Sequence, residues 1–482
     1  MKRRKAVIIP SVLLSLGAVA VATPAVGGAM DRSPAPVPAS ADLSKTSGGL
    51  SGTSAAGHRT GGVGDAGAVV DAIERSAHTL RSTEPEGGLR DLDALGRMVG
   101  DAEVVGLGEA THGSREFFRM KHRVFRYLVE EKGFRTFSLE LPWSSGLRLN
   151  DYVLNGEGDL RKMADEEFQG AYRIWNNQDY LDLVEWMRDH NRRHPGDEVQ
   201  FMGNDMGYAG PELYEEVTDR VARAYPRLLE RVTELYRGLA PTTDAGTYGA
   251  EYLELPLAER QERAERTGEV YELLRRQRPG SGADRGEHLW TVQHARAIHQ
   301  LAEGYSLDIT DETQVAEMMR LRDQVMAENV AWWRRHTGDR VLLSAHNTHV
   351  AYDSFDARYP KTQGAFLRDV FGGDYVSVGF SFHHGAFKAF GTGDDVMRTY
   401  RVGAAKPGSN EHTLDEARQE DYVLDLRTAP RPVRAWLDTP RVTWNIGAGW
   451  PDPETYRSAP GRAHDVLIHL DEVEATEYLG KP

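Results

Sequence analysis

Residues 103–113 read EVVGLGEATHG. The first half is a short apolar run ending in glycine, the pattern of a strand buried on both faces. The second half sets Glu109 and His112 three residues apart, just past the strand end. From Ser114 the period changes: Phe117, Met120, Val124, Tyr127 and Leu128 share one face of a helix that runs to Lys132. Residues 135–141 (RTFSLEL) return as a second strand, closed by Pro142. Strand, helix and strand in that order predict parallel pairing through a helical crossover.

The alternation continues along the chain. Short amphipathic helices are expected over 68–80 and 89–99, and another over 177–192, where Leu181, Val184 and Met187 are spaced for burial. Further strands are expected at 199–203 (VQFMG), 340–344 (RVLLS) and 375–380 (YVSVGF). Between the third and fourth strands lies a long helical stretch, about 211–336. There Leu228, Val232, Leu235 and Leu239 recur at helical spacing, and 251–277 mixes Glu and Arg along a solvated face. Over 318–333, Met319, Arg322, Met326, Asn329 and Trp333 fall to one side, as core packing requires. The expected fold class is α/β: a central, mainly parallel sheet flanked by helices, with a large inserted helical lid subdomain.

The 482 residues carry a formal net charge of −15 and no cysteine. Disulfides, thiolate metal sites, iron–sulfur clusters and a cysteine nucleophile are therefore excluded. The acidic balance argues against nucleic acid or an anionic membrane surface as partner. Lys2, Arg3, Arg4 and Lys5 precede an apolar stretch over 6–22, and small residues cluster at Ala18, Ala20, Ala22 and Ala25. This is the layout of a signal peptide over 1–25, cleaved after Ala22 or Ala25. Residues 26–65, rich in Ser, Gly, Ala and Pro, read as a disordered linker, and 66–482 as the folded domain. The mature protein is expected outside the cell or at its envelope, with no membrane span.

Ligands of open α/β sheets bind outside the carboxyl ends of the strands. Just past the expected strands stand Glu109 and His112, then Glu140, then Asp205, then His346 and His349, then Ser381 with His383 and His384. A histidine whose tautomer is fixed by a carboxylate can activate water for ester cleavage, with neighbouring donors stabilising the oxyanion. The same residue types can ligate Zn²⁺ or Mn²⁺, and spacing does not separate the two. An exported ligand-binding protein on a hydrolase scaffold is a third reading. The chain has no HExxH helix, no G-x-S-x-G elbow and no GxxxxGK[ST] loop.

The run VVGLGEATHGSREFFRMKHRVFRYLVEEKGFRTFSLEL resembles the erythromycin esterase family, with its GE-x-x-H signature and EFF-containing helix. FMGNDM around Asp205, RDQVMAENV around Met326, SAHNTHVA at His346 and His349, GGDYVSVGF at Tyr375 and HDVLIHLDEVEAT near the C-terminus extend the resemblance over about 70–480. It implies a hydrolase without metal or cofactor that opens the lactone ring of 14-membered macrolides by direct attack of water. Carried over, His112 is the general base with Glu109 beside it, Glu140 the second essential carboxylate, and His346 and His349 the second histidine pair. Lys121 stands where the family has an arginine, keeping the charge but losing the bidentate fork. Contacts to a small ester or lactone substrate are expected from Lys121, Arg119, Asp205, Met326 and Trp143. A cleft lined by Trp143, Tyr172, Trp175 and Trp333 is expected beside them.

Overall fold

The computed structural model describes residues 66–279, 283–393, 396–451 and 455–480; the expected signal peptide and linker lie outside the described residues. The run from Val104 to Leu107 is fully buried near the middle of a ten-stranded sheet. In chain order the strands are β1 (His78–Thr79), β2 (Val104–Leu107), β3 (Phe134–Pro142), β4 (Gln200–Asp205), β5 (Arg340–Ser344), β6 (Tyr375–Gly391), β7 (Met397–Val402), β8 (Tyr422–Asp425), β9 (Gly449–Trp450) and β10 (Val466–Val473). Across the sheet they run β1-β8-β10-β6-β2-β5-β3-β4, with β7 and β9 pairing β6 outside that row. The six strands from β10 to β4 are mutually parallel. β8 runs antiparallel to β10, β1 to β8 and β7 to β6.

Register decides where the site falls. Leu107 lies opposite both Ser344 and Val378, Leu139 opposite Ser344, and Pro142 opposite Asp205. Glu109, Glu140, Asp205 and His346 therefore emerge at one carboxyl edge. The turn after β2 reaches that edge only because it lacks side chains at two points. A Cβ on Gly108 would lie 2.1 Å from Asn347 Oδ1, and one on Gly113 would lie 2.0 Å from the Lys388 carbonyl oxygen.

The helix Arg115–Lys132 starts at Ser114 and ends at Gly133, whose φ of +70° gives the left-handed stop. Its apolar side packs on one face of the sheet. Phe117 is fully buried there, 5.2 Å from the Phe380 ring and 5.9 Å from that of Phe382, burial that contributes about 1.5–3 kcal/mol. Six helices lie between β4 and β5: Pro211–Ala224, Leu229–Tyr236, Ala245–Glu254, Leu257–Arg275, Ala283–Tyr305 and Glu312–Thr337. They share one hydrophobic core with the opposite face, where Val104, Met202, Val341, Leu343 and Tyr375 point.

Several expected boundaries move. The first helix ends at Ser76 because His78 and Thr79 leave it to pair β8. The stretch 228–239 is not one helix: Pro226–Leu228 is a 3₁₀ turn and Gly238 has φ +72°. Val232, Leu235 and Leu239 are nonetheless all buried. The fifth expected strand, read as six residues, runs for 17.

Candidate active site

Glu109 is fully buried at the turn after β2, and both its oxygens are engaged. One accepts from His112 Nδ1 at 2.6 Å; the other takes the Lys121 ammonium, which also donates to the Ala345 carbonyl at 3.3 Å. With Nδ1–H donating to the carboxylate, the lone pair of a neutral His112 ring sits on Nε2. The His112 side chain keeps 10% of its surface exposed while that of Glu109 keeps none, so the histidine is the member of the pair that meets solvent. Trp175 packs edge-on against the His112 ring at 5.0 Å and anchors its own N–H on the Glu140 carbonyl at 2.9 Å. Burial pulls Lys121 below its ordinary pKa, with Glu109 opposing.

A second buried network surrounds Glu140. Arg322, on the Glu312–Thr337 helix, donates to Glu140 at 2.6 Å and grips both oxygens of Asp205 at 2.6–3.0 Å. Tyr172 donates to Asp205 at 3.0 Å. His349 lies between two acids, with Nδ1 2.5 Å from Asp323 and Nε2 3.4 Å from Glu140. Burial resists the ionisation of Glu140, but the charges of His349, Arg322 and His112 outweigh it and hold the carboxyl well below its usual range. Burial likewise disfavours charged His349, yet Glu140 and Asp323 raise its pKa above the ordinary value. For Arg322, Asp205 and Glu140 overcome burial and raise its pKa.

His346 joins the two networks. Its ring is 5.0 Å from that of His112, and its backbone N–H points to Glu140 at 3.4 Å. As the N-cap of the short helix Asn347–Val350, His346 accepts the Thr348 N–H at Nδ1 over 3.3 Å, and the Thr348 hydroxyl lies 2.9 Å from the same nitrogen. The Thr348 N–H donating to Nδ1 assigns the ring proton to Nε2. That Nε2 is buried with no hydrogen-bond partner among the described residues. Burial, then the nearby His112 and His349 charges, push the His346 pKa well down, which keeps the ring neutral.

The structure thus brings Glu109, His112, Glu140, His346 and His349 into one cluster. The residues expected to contact substrate divide between these networks and other parts of the fold. Lys121 is fully buried and its ammonium is committed to Glu109, so it acts behind the His112 pair. Arg119 points away, bonding Asp179 at 3.0 Å and Glu84 at 2.6 Å. Asp205 is bound by Arg322 through both of its oxygens. Met326 is fully buried one turn beyond Arg322. Trp143 belongs to an aromatic core with Trp290, Trp332 and Trp333, at 5.6–6.1 Å between rings. Trp333 bonds Thr136 there, so of the four expected cleft aromatics Tyr172 and Trp175 reach the cluster.

Arg322 and Asp323 complete the network, and residue patterns at the strand ends did not point to either. The available signal was two charges in a helical stripe flanked by Met319 and Met326. The cluster's donors are poorly disposed toward a cation. His112 Nδ1 and His349 Nδ1 each face a carboxylate, and Lys121 and Arg322 already supply positive charge. Among the described residues, the one set of three His, Asp or Glu ligand atoms within 4.8 Å of one another lies elsewhere, at His383, His384 and Asp471.

Residues 129–473 match the family described as erythromycin esterase. Erythromycin esterase type II of Escherichia coli is 24% identical over 344 residues, 67% of this chain and 79% of that protein. A crystal structure of a Bacillus cereus protein superposes with a TM-score of 0.77 at 27% identity, covering 86% of this chain and 99% of that one. A crystal structure described as a succinoglycan biosynthesis protein gives 0.74 at 26%, covering 86% and 98%. A mutant of the erythromycin esterase EreC in its open conformation shares the fold, with a TM-score of 0.63 at 18% identity over 83% and 98% of the two chains. With one mainly parallel sheet collecting the acid and histidine network at its carboxyl edge, and a family match over most of its length, the chain belongs to the erythromycin esterase family.

Proposed function

We propose that the protein is an exported hydrolase that opens an ester or lactone, of the macrolide type, by water activated at His112. The observation that carries this reading is the pairing of a base and a donor across 5.0 Å. His112, oriented by Glu109 at 2.6 Å, offers a free Nε2; His346 offers a buried Nε2–H with no protein partner. Water between His112 and the substrate carbonyl gives its proton to Nε2 as its oxygen attacks the carbon. The imidazolium formed is stabilised by Glu109, itself held by Lys121. The carbonyl oxygen gains negative charge and takes the His346 hydrogen bond, from a group that pays no reorganisation because Thr348 already fixes its tautomer. Glu140 accepts the His346 backbone N–H at 3.4 Å, and Arg322 and His349 in turn hold Glu140 and balance its charge. His112, now protonated, returns its proton to the leaving alkoxide, which releases acid and alcohol.

Export rests on the basic residues 2–5 and the apolar stretch after them. The cations already seated in the cluster favour acid–base chemistry over metal chemistry at this site. The test is incubation of the purified protein with a 14-membered macrolide, with and without chelator, followed by mass spectrometry. Gain of one water, insensitive to chelator and absent in His112→Ala, supports the reading. Loss with chelator alone overturns the acid–base mechanism, and no water gain removes macrolides as substrate. The 26%-identical structure described as a succinoglycan biosynthesis protein makes acyl esters of extracellular polysaccharides the second substrate class to assay.

A further inference from the structure

β6 does not stop at the active-site edge. Asn347 clamps Phe380 through both its backbone groups, at 2.7 and 2.9 Å, and the strand then continues beside β10, pairing Ser381 with His469 and His384 with Glu472. Gly385 has φ +138° and its backbone packs close against Val473, where a Cβ would lie 2.0 Å from the Val473 carbonyl oxygen. Through this pairing His383 and His384 lie by Asp471 of β10, and His383 lies next to Asp415 at the end of the short helix Asn410–Asp415.

We propose that His383, His384 and Asp471 form a binding site for a divalent transition-metal ion of the zinc class, with Asp415, now bonded to His383, swinging in as fourth ligand. His383 Nδ1 and His384 Nδ1 each lie 3.5 Å from Asp471 Oδ1. Two ligand atoms each about 2.0–2.1 Å from a tetrahedral zinc stand about 3.3–3.5 Å apart, so both contacts already have the length of a tetrahedral edge. Two imidazoles with carboxylates are the borderline N/O set that this ion prefers. The two rings lie 5.2 Å apart and meet at 78°.

Two further observations point inward at the same place. His384 Nδ1 is buried and makes no hydrogen bond. His469 is fully buried, and its Nε2 makes no hydrogen bond although it faces Asp415 Oδ1 at 3.8 Å; its Nδ1 is fixed by Ser381 at 2.6 Å. Asp415 Oδ2 lies 2.8 Å from His383 Nδ1, where it takes the proton that a metal would displace to Nε2. On binding, that carboxylate loses its donor and turns to the ion, and His469 stands behind it as the outer hydrogen-bond partner that orients ligating carboxylates. The ion would tie β6, β10 and the Asn410–Asp415 helix together, on the strand that also carries Phe380 past the catalytic cluster.

The experiment uses the whole purified chain, stripped by chelator and titrated with Zn²⁺ by calorimetry, with bound metal counted after gel filtration and Tm recorded with and without metal. One zinc per chain with micromolar or tighter affinity is expected, with Tm raised by about 3 °C or more in excess metal. Asp471→Asn, which keeps the shape of the side chain, should weaken binding at least tenfold and leave the metal-free Tm near the parent value. His383→Ala with His384→Ala should abolish binding. His112→Ala should bind zinc like the parent, because the two clusters share no ligand. The proposal fails if no zinc binds at 0.1 mM (about 10² times a micromolar Kd), if Asp471→Asn and the double variant bind normally, or if His112→Ala is the variant that loses the metal.

Discussion

Arg322→Met is the substitution that most directly tests the buried network. The guanidinium supplies two bonds at 3.0 Å and one at 2.6 Å to Asp205, and another at 2.6 Å to Glu140. Methionine keeps much of the volume and removes the charge, which leaves two buried carboxylates short of a counter-ion. Breaking a buried ion pair by deleting one partner costs about 3–5 kcal/mol, and that is the expected loss at pH 7. The pH dependence carries a further signature. In the parent protein Glu140 is held well below its usual range, so its contribution is present above the unfolded carboxyl value of about 4.3 and is lost only as pH falls through the depressed folded value. Without Arg322 the folded value climbs. The deficit of the variant is therefore full at neutral pH and shrinks as pH falls through the new value, where Glu140 takes up a proton. Urea unfolding at pH 7 and at pH 5 measures both. A cycle with Glu140→Gln and the double variant should show coupling of at least about 1.5 kcal/mol. Additivity to within about 0.5 kcal/mol, or a deficit that does not change with pH, would refute the reasoning.

Other outcomes follow from the same geometry. His112→Ala removes a partly exposed base, so macrolide turnover should fall by about 10² or more while Tm moves by no more than about 2 °C in thermal melts. Lys121→Met leaves Glu109 fully buried without its cation and should cost about 3–5 kcal/mol in urea titrations; a loss under about 1 kcal/mol would mean the ammonium is not needed there. His349 gains its proton more readily folded than unfolded, so its stabilisation is complete below about pH 6.5 and is lost as pH rises through the folded value. Asp323→Asn should accordingly flatten the decline of stability between pH 6 and 9, as read from Tm against pH. Gly108→Ala drives a Cβ into Asn347 and should cost about 1–3 kcal/mol, with loss of turnover because Asn347 adjoins His346.

The core of the fold was legible because five neighbouring parallel strands, β2 to β6, are apolar runs that a reader of periodicity recognises. Three features hid the rest. β10 carries His469, Asp471 and Glu472, so its second half does not look like a strand, although its first residues are buried between β6 and β8. β6 continues past Phe380 through His383 and His384, which read as a strand end, because β10 and β7 both pair with it there. β8 is four residues long, too short to stand out without the partner that fixes it.

The site divides along a different line. Residues at strand ends were found because topology alone brings such ends together, and Glu109, His112, Glu140, His346 and His349 are all of that kind. Arg322 and Asp323 arrive from a helix more than a hundred residues beyond β4, and only the packing of that helix on the sheet shows which of its turns faces the cluster. In sequence, a charge in an apolar stripe marks either an exposed edge or a buried ion pair, and spacing is identical for both. What separates them is the partner: Arg322 is buried against two acids from β3 and β4, an arrangement that no residue on its own helix announces. The residues expected to bind substrate show the converse effect. Lys121 and Asp205 were placed at the right edge of the sheet, but opposite charges within reach claim each other before any ligand arrives, since a buried ion without a partner is the costlier state. In the proposed mechanism the groups that meet substrate are accordingly those whose polar atoms the network does not consume, His112 Nε2 and His346 Nε2.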